Sequence, residues 1–155
     1  MPTDSEQSTS GTPPQGGPYL KAALFCERVL DEKDNVLSLV RVVDRFTVTA
    51  SGPQAPKDMP AIPQRLLAVV MLISGLAKGP EEVRLEMERP DATTKDVWIG
   101  TVHMEGGQKG QNLILNFQET FELAGVYWFN LYVGEHLLTK MPVEVRYAWF
   151  TSSAH

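Results

Sequence analysis

The sequence predicts an all-β protein: an antiparallel β-sandwich of about eight strands that follows a disordered N-terminal arm. Three observations lead to this prediction. Apolar and polar residues alternate with the period of two expected of half-buried strands. Turn-forming residues recur roughly every 8–15 positions. Helical periodicity is rare along the chain. Many short strands separated by turns are typical of a sandwich.

The 155 residues suffice for one domain. Residues 1–18 hold no large apolar side chain after Met1 and are rich in Ser, Thr, Pro and Gly. Such a segment buries too little apolar surface to offset the entropy of ordering, so we expect a disordered arm. The predicted organisation is an arm over 1–18, one sandwich domain over 19–150 and a flexible tail over 151–155.

The first half of the domain reads as strands and one long loop. The stretches LKAALFCERVL (20–30) and VLSLVRVVDRFTVTA (36–50) flank the polar DEKDN, which predicts a hairpin. The segment Ser51–Pro63 contains four prolines and is predicted to be a loop. QRLLAVVMLISGLA (64–77) is apolar on both parities, and we interpret it as a central strand rather than a short buried helix.

Regular alternation marks the next segments. In EEVRLEMER (81–89), three apolar residues alternate with charged ones, which predicts a half-exposed strand. VWIGTVHME (97–105) and NLILNFQETFEL (112–123) are further strands, and GGQKGQ between them is predicted to be a flexible hairpin loop. It lacks the spacing of a phosphate-binding loop and opens no helix.

The final stretch, FELAGVYWFNLYVGEHL, resembles the end of an immunoglobulin-like sandwich. In that pattern a turn with a glycine precedes a strand whose early tyrosine hydrogen-bonds back to the chain, and here Gly125 and Tyr127 occupy those positions. Gly134 opens the next hairpin. The two cysteines of antibody domains are missing, and Phe129 stands where the second would lie.

A wider resemblance extends from Ala22 to Val145. The pieces AALFCERV, LSLVRVVDRFTV and YWFNLYVGEHLLTKMPVEV are similar to an uncharacterised family of small bacterial proteins. The resemblance implies a fold and a prokaryotic source, and it lends no catalytic residues.

Charge and cysteine content narrow the function classes. The formal charge is −5 and the basic residues are scattered, which argues against general nucleic-acid binding. The single cysteine, Cys26, fits a reducing compartment. The longest apolar run has about 12 residues, whereas a membrane helix needs about 20. We therefore expect a soluble, cytoplasmic protein.

No catalytic constellation stands out in the sequence. His103, His136 and His155 occur in no metal-ligand spacing, and Cys26 has no adjacent basic cluster to activate it. The expectation is a non-enzyme without a metal or cofactor.

The sequence also predicts one candidate interaction surface. If Tyr127, Phe129 and Leu131 face the core, Trp128 and Tyr132 lie on the opposite side of the strand, about 13 Å apart. We expect these two to form a contact patch together with Met141 and Trp98, for a protein partner or for a homodimer. In the competing interpretation, the Pro-rich loop or the N-terminal arm covers this face.

A second functional hypothesis is a binding site for a small ligand, a sugar or a lipid. It would use a cleft covered by Ser51–Pro63, because loops at the end of a sandwich often form pockets.

Overall fold

A computed structural model describes residues 16–150 and confirms the all-β class. No α-helix occurs among these residues, and accordingly none of them forms a helix that could cross a membrane. One short 3-10 turn, Lys33–Asn35, lies in the predicted DEKDN hairpin. The strands are β1 (Tyr19–Asp31), β2 (Leu37–Val43), β3 (Arg45–Ser51), β4 (Ile62–Glu88), β5 (Thr94–Phe121), β6 (Gly125–Val133) and β7 (His136–Phe150).

β4 and β5 form one long hairpin that belongs to both layers of the sandwich. Residues 62–73 of β4 pair with the last part of β5, and those from 68 to 73 also pair with β1. Residues 83–88 pair with β6 and with the first part of β5. Between these halves the register shifts, and Gly75 and Gly107 take positive φ values of 63° and 67°. Glycine reaches this conformation without steric cost, so the hairpin can turn from one layer into the other.

This geometry corrects two predictions. GGQKGQ is not a hairpin loop, because it lies within β5 and forms the irregular part of that strand. The two strands predicted at 64–77 and 81–89 are parts of one strand, β4.

The two layers pack face to face. In hydrogen-bonding order, the first consists of β2, β1 and the paired halves of β4 and β5, and the second of the other halves of β5 and β4, then β6, β7 and β3. Aromatic rings join the layers: the centroid of Phe129 on β6 is 4.9 Å from Phe25 on β1 and 6.1 Å from Phe117 on β5. The predicted immunoglobulin-like sandwich is confirmed.

The stretch predicted as one strand at 36–50 divides at Asp44. β2 pairs antiparallel with β1 in the first layer, whereas β3 pairs parallel with β7 in the second. The carbonyl of Asp44 accepts a hydrogen bond from the backbone N–H of Glu144 at 3.0 Å, which anchors the crossing point. The sandwich is therefore antiparallel except for this one pair among the described strands.

Tyr127 forms the predicted corner at the start of β6. Its hydroxyl donates a hydrogen bond to the carbonyl of Leu123 at 2.6 Å and accepts one from the Leu123 N–H at 3.2 Å. Gly125, at φ 137°, makes the turn between them. Burial raises the pKa of the Tyr127 hydroxyl, although its hydrogen bond to Leu123 acts in the opposite direction. This corner fixes which residues of β6 face the core.

The predicted arm and tail lie mainly outside the described residues, in 1–15 and 151–155. Of the arm, only Gly16–Pro18 are described, and the carbonyl of Gly16 accepts a hydrogen bond from Leu76 at 2.6 Å.

Candidate functional site

β6 has two faces, as its alternation predicts. Tyr127, Phe129, Leu131 and Val133 are buried in the core. Trp128, Asn130 and Tyr132 point to the other side of the sheet, away from the first layer. With the charged neighbours Arg84, Glu86 and Lys140 they make up what we call the β6 outer face.

Trp128 is the most exposed aromatic residue of the β6 outer face. It lies opposite Glu88 on β4 and Pro142 on β7, and 37% of its surface is exposed. The ammonium of Lys140 lies 5.4 Å from the centre of the Trp128 ring, within the range of a cation–π contact. The exposed fraction is that found with the Ser51–Pro63 loop in place, so this loop leaves the indole accessible.

Tyr132, at the other end of the face, also has a cationic side chain stacked on its ring. The guanidinium carbon of Arg84 lies 4.2 Å from the ring centre. Arg84 also pairs with Asp96 at 2.9 Å and approaches Glu86 at 3.7 Å. Partial burial, followed by the charge of Glu86, raises the pKa of the Tyr132 hydroxyl, which therefore stays protonated at neutral pH.

Asn130 lies between the two aromatic residues and is 4% exposed, although it points away from the core. Its amide nitrogen donates a hydrogen bond to Glu86 Oε1 at 3.0 Å. Its carbonyl oxygen, Oδ1, is buried and has no hydrogen-bond partner among residues 16–150. Buried polar atoms are nearly always paired, so this acceptor marks a position where the face lacks a donor.

The structure does not bring the other two predicted contact residues to this face. Met141 pairs with Phe129 across the β6–β7 ladder and is 6% exposed, in the core. Trp98 pairs with the buried Leu85 and packs against the same core. Directly opposite residues share a face of the sheet, and both partners face inward, so Met141 and Trp98 do too.

Sequence reasoning missed Arg84, Lys140 and Asn130. Arg84 alternates with core residues in EEVRLEMER, and this pattern places it on an outer face. Its position beside Tyr132 depends on the pairing of β4 with β6, which no local pattern encodes. Asn130 has no sequence signal beyond being a polar residue within an aromatic strand.

The residues considered as metal ligands or catalytic groups form no cluster within residues 16–150. His103 and His136 are both exposed. Cys26 is buried, and burial raises the pKa of its thiol, which disfavours the reactive thiolate. No group of three His, Cys, Asp or Glu residues within 16–150 could hold a metal ion.

Comparison with known proteins adds a family and distant structural likenesses. The model of a family of unknown function (DUF6941) matches residues 21–146. No curated protein matches the chain in sequence. A β-glucosidase from Listeria innocua in complex with glucose is similar in structure, with 9% identity and a TM-score of 0.46; the likeness covers 85% of this chain and 17% of that one. An immunoglobulin-like protein from Pseudomonas aeruginosa has 13% identity and a TM-score of 0.41, with 85% and 98% covered.

Proposed function

The chain belongs to this family of unknown function, and from that premise we propose that it is a non-catalytic interaction module. In this proposal the β6 outer face binds a protein partner or a second copy of the chain. The observation that carries the proposal is the unpaired, buried Oδ1 of Asn130 between two aromatic residues that each lie beneath a cation.

The residue types of the face are those that dominate protein interfaces. Trp, Tyr and Arg are the residues most often found to contribute the largest share of binding energy. Trp128 and Tyr132 offer large rings with few rotatable bonds, so little side-chain entropy is lost when a partner covers them. The contacts of Lys140 and Arg84 hold the rings in place before binding.

Asn130 gives the face a directional element. A buried acceptor left without a donor costs about 1–3 kcal/mol. Because this oxygen is itself inaccessible, a partner's N–H or O–H group placed between the two rings would have to displace the side chains over it to remove this cost. The acidic groups of Glu86, Glu88 and Asp96 border the same area, so a donor on a cationic side chain is the best match.

We expect Trp128→Glu to abolish the interaction while leaving the domain folded, because the indole is at the surface and outside the core. Native mass by light scattering on the full chain tests self-association. Affinity capture with quantitative mass spectrometry tests a partner. Trp149→Glu is the matched control: Trp149 is 38% exposed, nearly the same as Trp128, but lies near the end of β7.

A dimer, or a captured protein, that disappears with Trp128→Glu and persists with Trp149→Glu supports the proposal. If wild type and Trp128→Glu have the same mass and capture the same proteins, the β6 outer face is not the interface.

A further inference from the structure

A groove opens in the first layer where β1 separates from β4. The two strands pair from Tyr19↔Ile73 to Phe25↔Ala68, and beyond Phe25 strand β1 continues paired with β2 alone. Residues 62–67 of β4 therefore have no strand on the β1 side among the described residues. We call the groove between this part of β4 and the end of β1 the β1–β4 wedge; its volume is about 870 Å³. This volume lies within the range of small-molecule sites.

The floor of the wedge is apolar. Phe25 and Leu66, both buried in the core, form its base, and the half-buried Val43 and Phe46 extend it toward β3. The thiol-bearing Cys26 also lines it. No residue of the Ser51–Pro63 loop lines the wedge, so this groove is not the cleft predicted beneath that loop.

The rim of the wedge is cationic. Arg28, Arg41, Arg45 and Arg65 line it, against one acidic residue, Glu27. Four of the seven arginines of a chain with net charge −5 are thus gathered around one groove. Concentrated positive charge over an apolar floor attracts a ligand that has a negative head and an apolar body.

The hydrogen-bonding capacity of these arginines is largely unused. Three of them make a contact through Nε: Arg41 with Glu27 at 2.9 Å, Arg45 with Glu144 at 3.0 Å and Arg65 with Asn116 at 3.0 Å. Beyond these three partners, the side chains of Arg41, Arg45 and Arg65 make no hydrogen bond or ion pair with another described residue, and the guanidinium of Arg28 makes none. Such groups suit carboxylate or phosphate oxygens, which guanidinium binds in pairs.

Backbone strain coincides with this rim. Arg41 has a φ of 57°, in the left-handed region that long side chains rarely adopt. Residues held in such conformations concentrate at binding sites, where the surrounding structure offsets the cost.

We propose that the β1–β4 wedge binds a single-chain amphiphile with an anionic head. The carboxylate or phosphate lies among the arginine Nη groups, and the alkyl chain lies along Phe25, Leu66 and Phe46. This site lies mainly in the first layer, with Arg45 and Phe46 contributed by β3 of the second, and it shares no residue with the β6 outer face.

Isothermal titration calorimetry of the full chain with sodium dodecanoate tests the proposal. Dodecyltrimethylammonium has the same chain with the opposite charge, and butanoate has the same head with little chain; neither should bind measurably. Arg28→Glu and Arg65→Glu should each weaken dodecanoate binding at least about tenfold, because each loses a charged hydrogen-bond donor and adds repulsion. Arg89→Glu, outside the wedge, and Trp128→Glu should bind as wild type does. Circular dichroism establishes that each variant is folded.

The proposal is overturned if dodecanoate does not bind, or if it binds while neither arginine variant weakens it. Equal binding of the trimethylammonium amphiphile would show that binding depends on the apolar floor alone, and would also overturn the proposal. Binding of an acidic extended peptide in place of dodecanoate would show that the wedge accepts an added strand, and would likewise overturn the proposal.

Discussion

Phe129→Ala should lower the free energy of unfolding by about 3–5 kcal/mol, the range for removing a buried aromatic side chain. Phe129 is fully buried on β6, and its ring contacts Phe25 at 4.9 Å and Phe117 at 6.1 Å between centroids. Both partners belong to the opposite layer. The substitution therefore removes apolar area and also leaves a cavity at the point where the two layers are joined.

Trp128→Ala is the matched control, one residue earlier on the same strand. Its ring is larger, yet 37% of the residue is exposed and it lies outside the core, so we expect a loss of about 1–2 kcal/mol and no cavity between the layers. Urea denaturation followed by tryptophan fluorescence for Phe129→Ala, and by circular dichroism for both variants, measures the difference. Equal losses for the two variants would contradict the assignment of the two faces of β6.

The local features of this fold were predictable because they depend on near neighbours in sequence. Alternation along β6 identified which side chains enter the core, and the spacing of Gly125 and Tyr127 indicated the corner that the structure contains. The strand character of EEVRLEMER followed from its period of two. In each case the burial of one face determines the pattern, and the pattern is visible within about ten residues.

The features that sequence reasoning missed depend on which strands become neighbours. GGQKGQ has turn composition, but its glycines allow β5 to bend while its pairing with β4 continues on both sides. Met141 was assigned to the outer face because Pro142 obscured the parity of β7; its position opposite Phe129 resolves that parity. The crossing at Asp44 is set by β7, about a hundred residues away.

The two proposed sites illustrate the same limit. Trp128 and Tyr132 could be found from one strand alone, whereas Arg84 joins them only through the pairing of β4 with β6. The arginines of the β1–β4 wedge come from four strands, and no spacing along the chain relates them. A groove made by two strands that separate is a property of the sheet, so it leaves no local signature in sequence.

Tyr127→Phe should lower the free energy of unfolding by about 1–3 kcal/mol at neutral pH, because the two hydrogen bonds of the hydroxyl to Leu123 are lost while the ring stays in the core. Tyr132→Phe is the control. The hydroxyl of Tyr132 forms no hydrogen bond with another described residue, so we expect a loss below about 0.5 kcal/mol. Urea denaturation at pH 7 distinguishes the two, and similar values would contradict the structural role of the corner.

Alkaline pH gives this prediction a second, independent test. Burial raises the pKa of Tyr127 in the folded protein above that of an unfolded tyrosine, which is about 10. The folded state therefore holds its proton more tightly, and the resulting stability is complete below about pH 10 and is lost as the pH rises toward the folded pKa. Tyr132 is shifted in the same direction, so each Tyr→Phe variant should reduce the decline, and the double variant should reduce it most. Only Tyr127→Phe combines a flatter alkaline profile with lower stability at pH 7, because only its hydroxyl both titrates and closes the corner.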